Sequence, residues 1–148
     1  MRKLLLMIGI FLAFGTINAQ FQKANYRLAK LKKQNPGFKS LKNVDLEAQK
    51  FVLIKDFEDH TERQIISVTG SDATYVEVFD DKVLKKSSSN VFSGDVIKSD
   101  SGVLSFRFDE LEGNKLPLPI AKNFVAMEKD NTLILVDVNT TDRWISYP

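Results

Sequence analysis

The chain has 148 residues, 21 basic and 19 acidic side chains, 43% hydrophobic residues and no cysteine. That length fits one hydrophobic core and not two. The missing cysteines exclude disulfide cross-links, thiol redox chemistry, cysteine catalysis and every zinc site built on thiolates.

The opening "MRKLLLMIGIFLAFGTINAQ" has a positive start at Arg2 and Lys3, an apolar run over residues 4–14 and a small residue, Ala19, after a more polar stretch. This is the three-part layout of a secretory signal peptide. The apolar run is shorter than the roughly 20 residues that span a bilayer, so removal between Ala19 and Gln20 is expected and no transmembrane segment should remain. The ending "INAQ" resembles leaders common in secreted Bacteroidetes proteins, which suggests an origin, and the leader layout itself implies an exported, periplasmic or extracellular product.

Arg2 and Lys3 leave with the leader, so the mature chain is formally neutral, but its charge is unevenly spread. Residues 20–43 hold Lys23, Arg27, Lys30, Lys32, Lys33, Lys39 and Lys42 without an acid, which leaves a net of minus seven on residues 44–148. Export and this acidic body argue against a nucleic-acid partner. In "FQKANYRLAKLKKQNPG", Phe21, Ala24, Leu28 and Leu31 follow helical spacing, with Lys23, Arg27 and Lys30 on a neighbouring face. Asn35, Pro36 and Gly37 end the pattern, because proline cannot donate the next helical hydrogen bond. The predicted organisation is a signal peptide over 1–19, a basic amphipathic helix and turn over 20–37 and a β-rich domain over 38–148. Such a helix caps a barrel mouth, or it presents Lys23, Arg27, Lys30 and Lys33 to an acidic partner or an anionic surface.

Beyond Pro36 the chain reads as short strands: "FVLIKDF", "RQIISVTG", "ATYVEVFD", "NVFSGDVIK", "GVLSFRFD", "NFVAMEK", "NTLILVDVN" and "DRWISY". In "GVLSFRFD" the alternation predicts Leu104, Phe106 and Phe108 on a dry face and Ser105, Arg107 and Asp109 on a wet one. The connections "TGSDA", "KSDSG", "EKDNT" and "NTTD" have hairpin composition, so neighbours are antiparallel. "KKSSSN" reads as a flexible loop, and "ELEGNKLPLPIAK", with Pro117 and Pro119, as an extended interruption outside the ladders.

The only histidine lies in "DFEDHTER" among carboxylates. As a calcium loop the stretch fails, since Thr61 stands where an EF-hand needs glycine and Phe57 and His60 interrupt the oxygen donors. As a zinc site it lacks a second imidazole. It is therefore expected to be a solvated hairpin turn, with no metal. A Ser-His-Asp relay would need His60 as its base, and no serine stands in a "GxSxG" context. A carboxylate pair is defined only by the fold, so sequence names no member of one.

The predicted architecture is mainly β: the N-terminal helix, then an antiparallel meander of about eight strands forming a small barrel or strongly curved sheet. The strand count resembles that of a lipocalin-type barrel, although the Gly-x-Trp signature near the first strand is absent. Most of the aromatic residues, Phe106 and Trp144 among them, should be core, with some lining a cavity. The first functional expectation is an exported, non-catalytic protein holding a small apolar ligand within the sheet, without a cofactor. The second is a protein-interaction module, such as an inhibitor or accessory envelope subunit, docking through the basic arm or a strand edge. A carboxylate-dependent enzyme is the third.

Overall fold

A computed structural model describes residues 39–147 without interruption, together with Tyr26, Ala29, Lys30, Lys33 and Gly37. The leader and the helix expected over residues 20–35 lie outside the described residues apart from Tyr26, Ala29, Lys30 and Lys33.

Nine strands follow one another: β1 (Lys39–Ser40), β2 (Lys50–Asp56), β3 (His60–Thr69), β4 (Asp72–Asp81), β5 (Lys86–Lys98), β6 (Val103–Leu111), β7 (Asn114–Lys129), β8 (Thr132–Asp137) and β9 (Arg143–Tyr147). Each strand from β2 onward pairs antiparallel with the next, and β9 returns to pair with β2, which closes an eight-stranded barrel. Strand β1 adds to β7 beside Met127 and Glu128. The predicted meander is thus a barrel, and along the belt where it closes it has none of the edges that an open sheet would expose.

Local chemistry explains the hairpins. Glu112 and Gly113, and Asp130 and Asn131, all have positive φ, the conformation that two-residue turns need to follow the right-handed twist of their strands. Two segments differ from the sequence reading. "KKSSSN" is no loop, because Lys86–Asn90 of β5 pairs with Glu77–Asp81 of β4. The proline-containing stretch is no interruption either: it belongs to β7, and only Leu116, Pro117, Leu118 and Pro119 lack partners in β6, where the register shifts.

Inward-facing residues set the character of the interior. At one end Phe51, Ile66, Tyr75, Phe92, Leu104, Phe106, Phe108, Phe124, Leu135 and Trp144 form a single buried cluster. Tyr75 meets Phe92 at 5.5 Å, Phe108 at 5.3 Å and Trp144 at 5.9 Å between ring centroids, while Phe106 and Phe124 meet edge to face at 5.4 Å. These separations are those of packed aromatic cores. The aromatic residues expected to line an apolar cavity instead fill this half of the barrel with one another. Leu41, Val44 and Leu46 pack onto the same cluster. Their segment is tied across the barrel end by Leu41 N to Ala126 O at 2.9 Å, Lys98 Nζ to Val44 O at 2.8 Å and Gly70 N to Glu47 Oε2 at 2.6 Å.

The opposite end is open. Strand β2 pairs with β9 only over Lys50–Val52, and β5 pairs with β6 only from Phe92 onward. Above that closed belt, β2 to β5 continue as a four-stranded flap.

A polar cleft at the open end of the barrel

The inner face of the flap is polar because the inward positions change character along each strand. Going outward from the core, β3 presents Ile66, Gln64, Glu62 and His60; β4 presents Tyr75, Glu77, Phe79 and Asp81; β5 presents Phe92, Asn90, Ser88 and Lys86. A cavity of about 180 Å³ is lined by Glu62, Arg63, Gln64, Glu77, Val78, Phe79, Ser88, Ser89 and Asn90. The register explains that set. Glu62, Phe79 and Ser88 form one inward row, Gln64, Glu77 and Asn90 the next, and the backbone of Arg63, Val78 and Ser89 is the floor between them. Glu62 and Glu77 sit at diagonal positions on adjacent strands, a spacing of about 7–8 Å between such neighbours.

Charge within the cleft is negative. The Arg63 guanidinium lies on the outer face, where it pairs with Asp80, with Nη2 and Nε at 2.8 and 3.0 Å from the same carboxylate oxygen. The Tyr75 hydroxyl donates to Glu77 Oε1 and so fixes that carboxylate from below. Burial, and then this hydrogen bond, push the Tyr75 phenol far above its ordinary range, so it remains a donor at any working pH. Lys122 Nζ lies 4.6 Å from the centroid of the Tyr75 ring and 5.7 Å from that of Trp144, a cation–π arrangement.

His60 forms the outer wall. A hairpin does join β2 to β3 within residues 56–63, but its turn is only Phe57–Asp59, closed by Phe57 N to His60 O at 2.9 Å, while His60–Arg63 already belong to β3, and the imidazole is not solvated as that reading supposed. It stacks between Phe57 and Phe79, at 4.5 and 4.8 Å, with Nδ1 2.6 Å from Asp59 and Nε2 3.6 Å from Glu62. The ring therefore buttresses Phe79, which lines the cavity.

Three carboxylates at this end have pKa values below the ordinary 3.8. Asp56 is lowered by hydrogen bonds from Lys82 and Thr61, Asp59 by its bond to His60, and Asp80 by bonds from Ser87 and Arg63. A depressed folded-state pKa contributes stability that is present above the unfolded value and lost as pH falls through the folded one. The β2–β3 and β4–β5 tips should therefore loosen as pH falls below the ordinary carboxylate value of 3.8 while the aromatic core holds. Residue-resolved amide exchange should show Phe57 and Lys82, whose N–H groups donate to His60 O and Asp59 O, losing protection before Phe106; simultaneous loss would deny the tips any separate dependence.

Of the basic residues expected to meet a partner, Lys30 and Lys33 are exposed, and Lys23 and Arg27 lie outside the described residues. The cleft itself carries no sequence signal, since Glu62, Glu77 and Asn90 are brought together by strand register alone. No family model, curated protein or solved structure matches this chain.

Proposed function

We propose that the chain is an exported, non-catalytic binding protein whose open barrel end holds a small ligand bearing a basic group. The observation that carries this reading is the pair Glu62 and Glu77 on the inner face of the flap, with no basic side chain among the cavity's inward rows, since Arg63 is paired with Asp80 on the outer face. An apolar ligand fits less well, because the apolar half of the interior is occupied by the protein's own rings. The leader pattern supports export to the periplasm or beyond.

Size and chemistry narrow the ligand. An apolar cavity of about 150 Å³ takes up benzene, so about 180 Å³ suits one ring or one flat headgroup. A guanidinium offers five planar donors. Glu62, Glu77 and the side-chain carbonyls of Gln64 and Asn90 can accept them, and Phe79 can stack against the plane.

Calorimetric titration with argininamide tests this directly. Saturable one-to-one binding is expected, and Glu77→Gln should weaken it roughly 10- to 100-fold, the equivalent of about 1.5–3 kcal/mol for a lost charged hydrogen bond. Stoichiometric uptake of a long-chain fatty acid with no response to argininamide would reinstate the apolar carrier.

A further inference from the structure

The flap has a side as well as a face. Strand β5 pairs with β4 along Lys86–Asp95, but its other side meets β6 only from Phe92. At Val91 the ladder is stopped by Glu112, whose Oε1 accepts from Val91 N at 2.8 Å and whose N donates to Val91 O at 2.8 Å. Both backbone groups of Val91 thus point away from β4. Backbone direction alternates along an antiparallel pair, so Ser89 and Ser87 point the same way. Among the described residues nothing bonds their N–H and C=O groups on that side, and residues 86–90 are exposed throughout.

The other interrupted edges of the barrel are guarded. Lys55 Nζ reaches Asp142 at 2.8 Å across the gap between β2 and the β8–β9 turn. The outer part of β7 carries Pro117 and Pro119, which have no N–H to offer. Strand β5 has three serines at the corresponding place and no proline, and its one inward charge, Lys86, stands at the outermost position, beyond Ser87–Ser89. Natural proteins blunt strand edges with such devices, and an unguarded edge is a template for another strand.

We infer that the free edge of β5 at Ser87 and Ser89 takes up an extended peptide as an added strand, which delivers a basic side chain into the Glu62 and Glu77 cleft. The inference rests on the cleft reading and names its ligand. An added strand would lie one strand spacing beyond β5 and about 9.6 Å, two spacings, from the backbone of β4 that carries Glu77. Its inward side chains would stand level with Ser88 and Asn90, which line the cavity. A long basic side chain from that position crosses β5 and meets the carboxylates, and its charge complements theirs. The backbone bonds supply affinity and the cleft supplies selectivity.

The test uses the full mature chain and a fluorescent seven-residue peptide, acetylated and amidated, with arginine at its centre and threonine and valine alternating around it. It should bind at least tenfold more tightly than argininamide, and replacing the central arginine with glutamate should abolish binding. Methylating one alternate set of backbone nitrogens should cost at least tenfold, and methylating the other set should cost little. Ser87→Pro, at an edge position outside the cavity lining, removes a backbone donor that the barrel itself does not use, so it should fold, keep argininamide binding and lose the peptide's advantage. Equal effects of the two methylation sets would overturn the inference, as would unchanged peptide binding by a folded Ser87→Pro chain. If argininamide binds and the peptide binds no better, the edge is not used and the cleft reading stands; if neither binds, both fall.

Discussion

Phe106→Ala should lower stability by about 3–5 kcal/mol, the loss expected when a buried phenylalanine leaves a cavity that its neighbours cannot collapse to fill. Its ring is 1% exposed, stacks at 6.1 Å on Phe108 and meets Phe124 edge to face at 87°. Those neighbours are held in turn by Tyr75 and Trp144, so the hole cannot close without disturbing rings on β4 and β9. For a domain of this size the shift in melting temperature is on the order of 10–20 °C. The adjacent Arg107 points outward, and its ion pair with Asp109 is 3.8 Å long and open to solvent, so Arg107→Ala should stay within about 0.5 kcal/mol. Urea unfolding of both variants decides the matter. Equal losses would mean that the alternation of β6 had been assigned to the wrong faces.

That alternation was legible in sequence because β6 lies between a filled interior and water, so every second residue reports its face. Strands β7 and β8 announce themselves differently. Phe124, Val125, Ala126 and Met127, like Ile134, Leu135 and Val136, are buried on both faces, and they read as continuous apolar runs. The outer half of β5 had no such signal. Ser87, Ser88 and Ser89 have weak β-propensity and bury nothing, so their extended conformation comes from pairing with β4, a partner that local sequence does not name. His60 was expected in the turn but is the first residue of β3, and the stack that packs its ring needs Phe79 on the next strand. The cleft was illegible for the same reason. Glu62 and Glu77 approach each other only through the register of β3 against β4, and a slip of one residue would send one of them to the outer face.

Gly94→Ala should be comparably damaging, for a reason that no count of buried surface captures. The register of β5 against β6 shifts between Ser93 and Gly94, and there the two backbones come so close that an added Cβ would lie 1.9 Å from Arg107 O and 2.6 Å from Phe108 Cα. Both are main-chain atoms of a paired strand, so no side-chain rotation relieves the clash. The strands must part, at a cost of about 3 kcal/mol or more, the upper end of what overpacking inflicts. Gly37→Ala is the control: nothing lies within 4 Å of a Cβ there, and alanine should be neutral or slightly stabilising. The consequence extends to function, because Gly94 sits in the seam between β5 and β6 that holds up the cleft-lining part of β5 at Ser88 and Asn90. A chain that survives Gly94→Ala should therefore show faster amide exchange along Phe92–Lys98 and weaker argininamide binding, even though no atom of the cleft has been altered. Wild-type stability together with wild-type binding would mean that β6 lies farther from Gly94 than this register places it, and that the seam does not brace the flap.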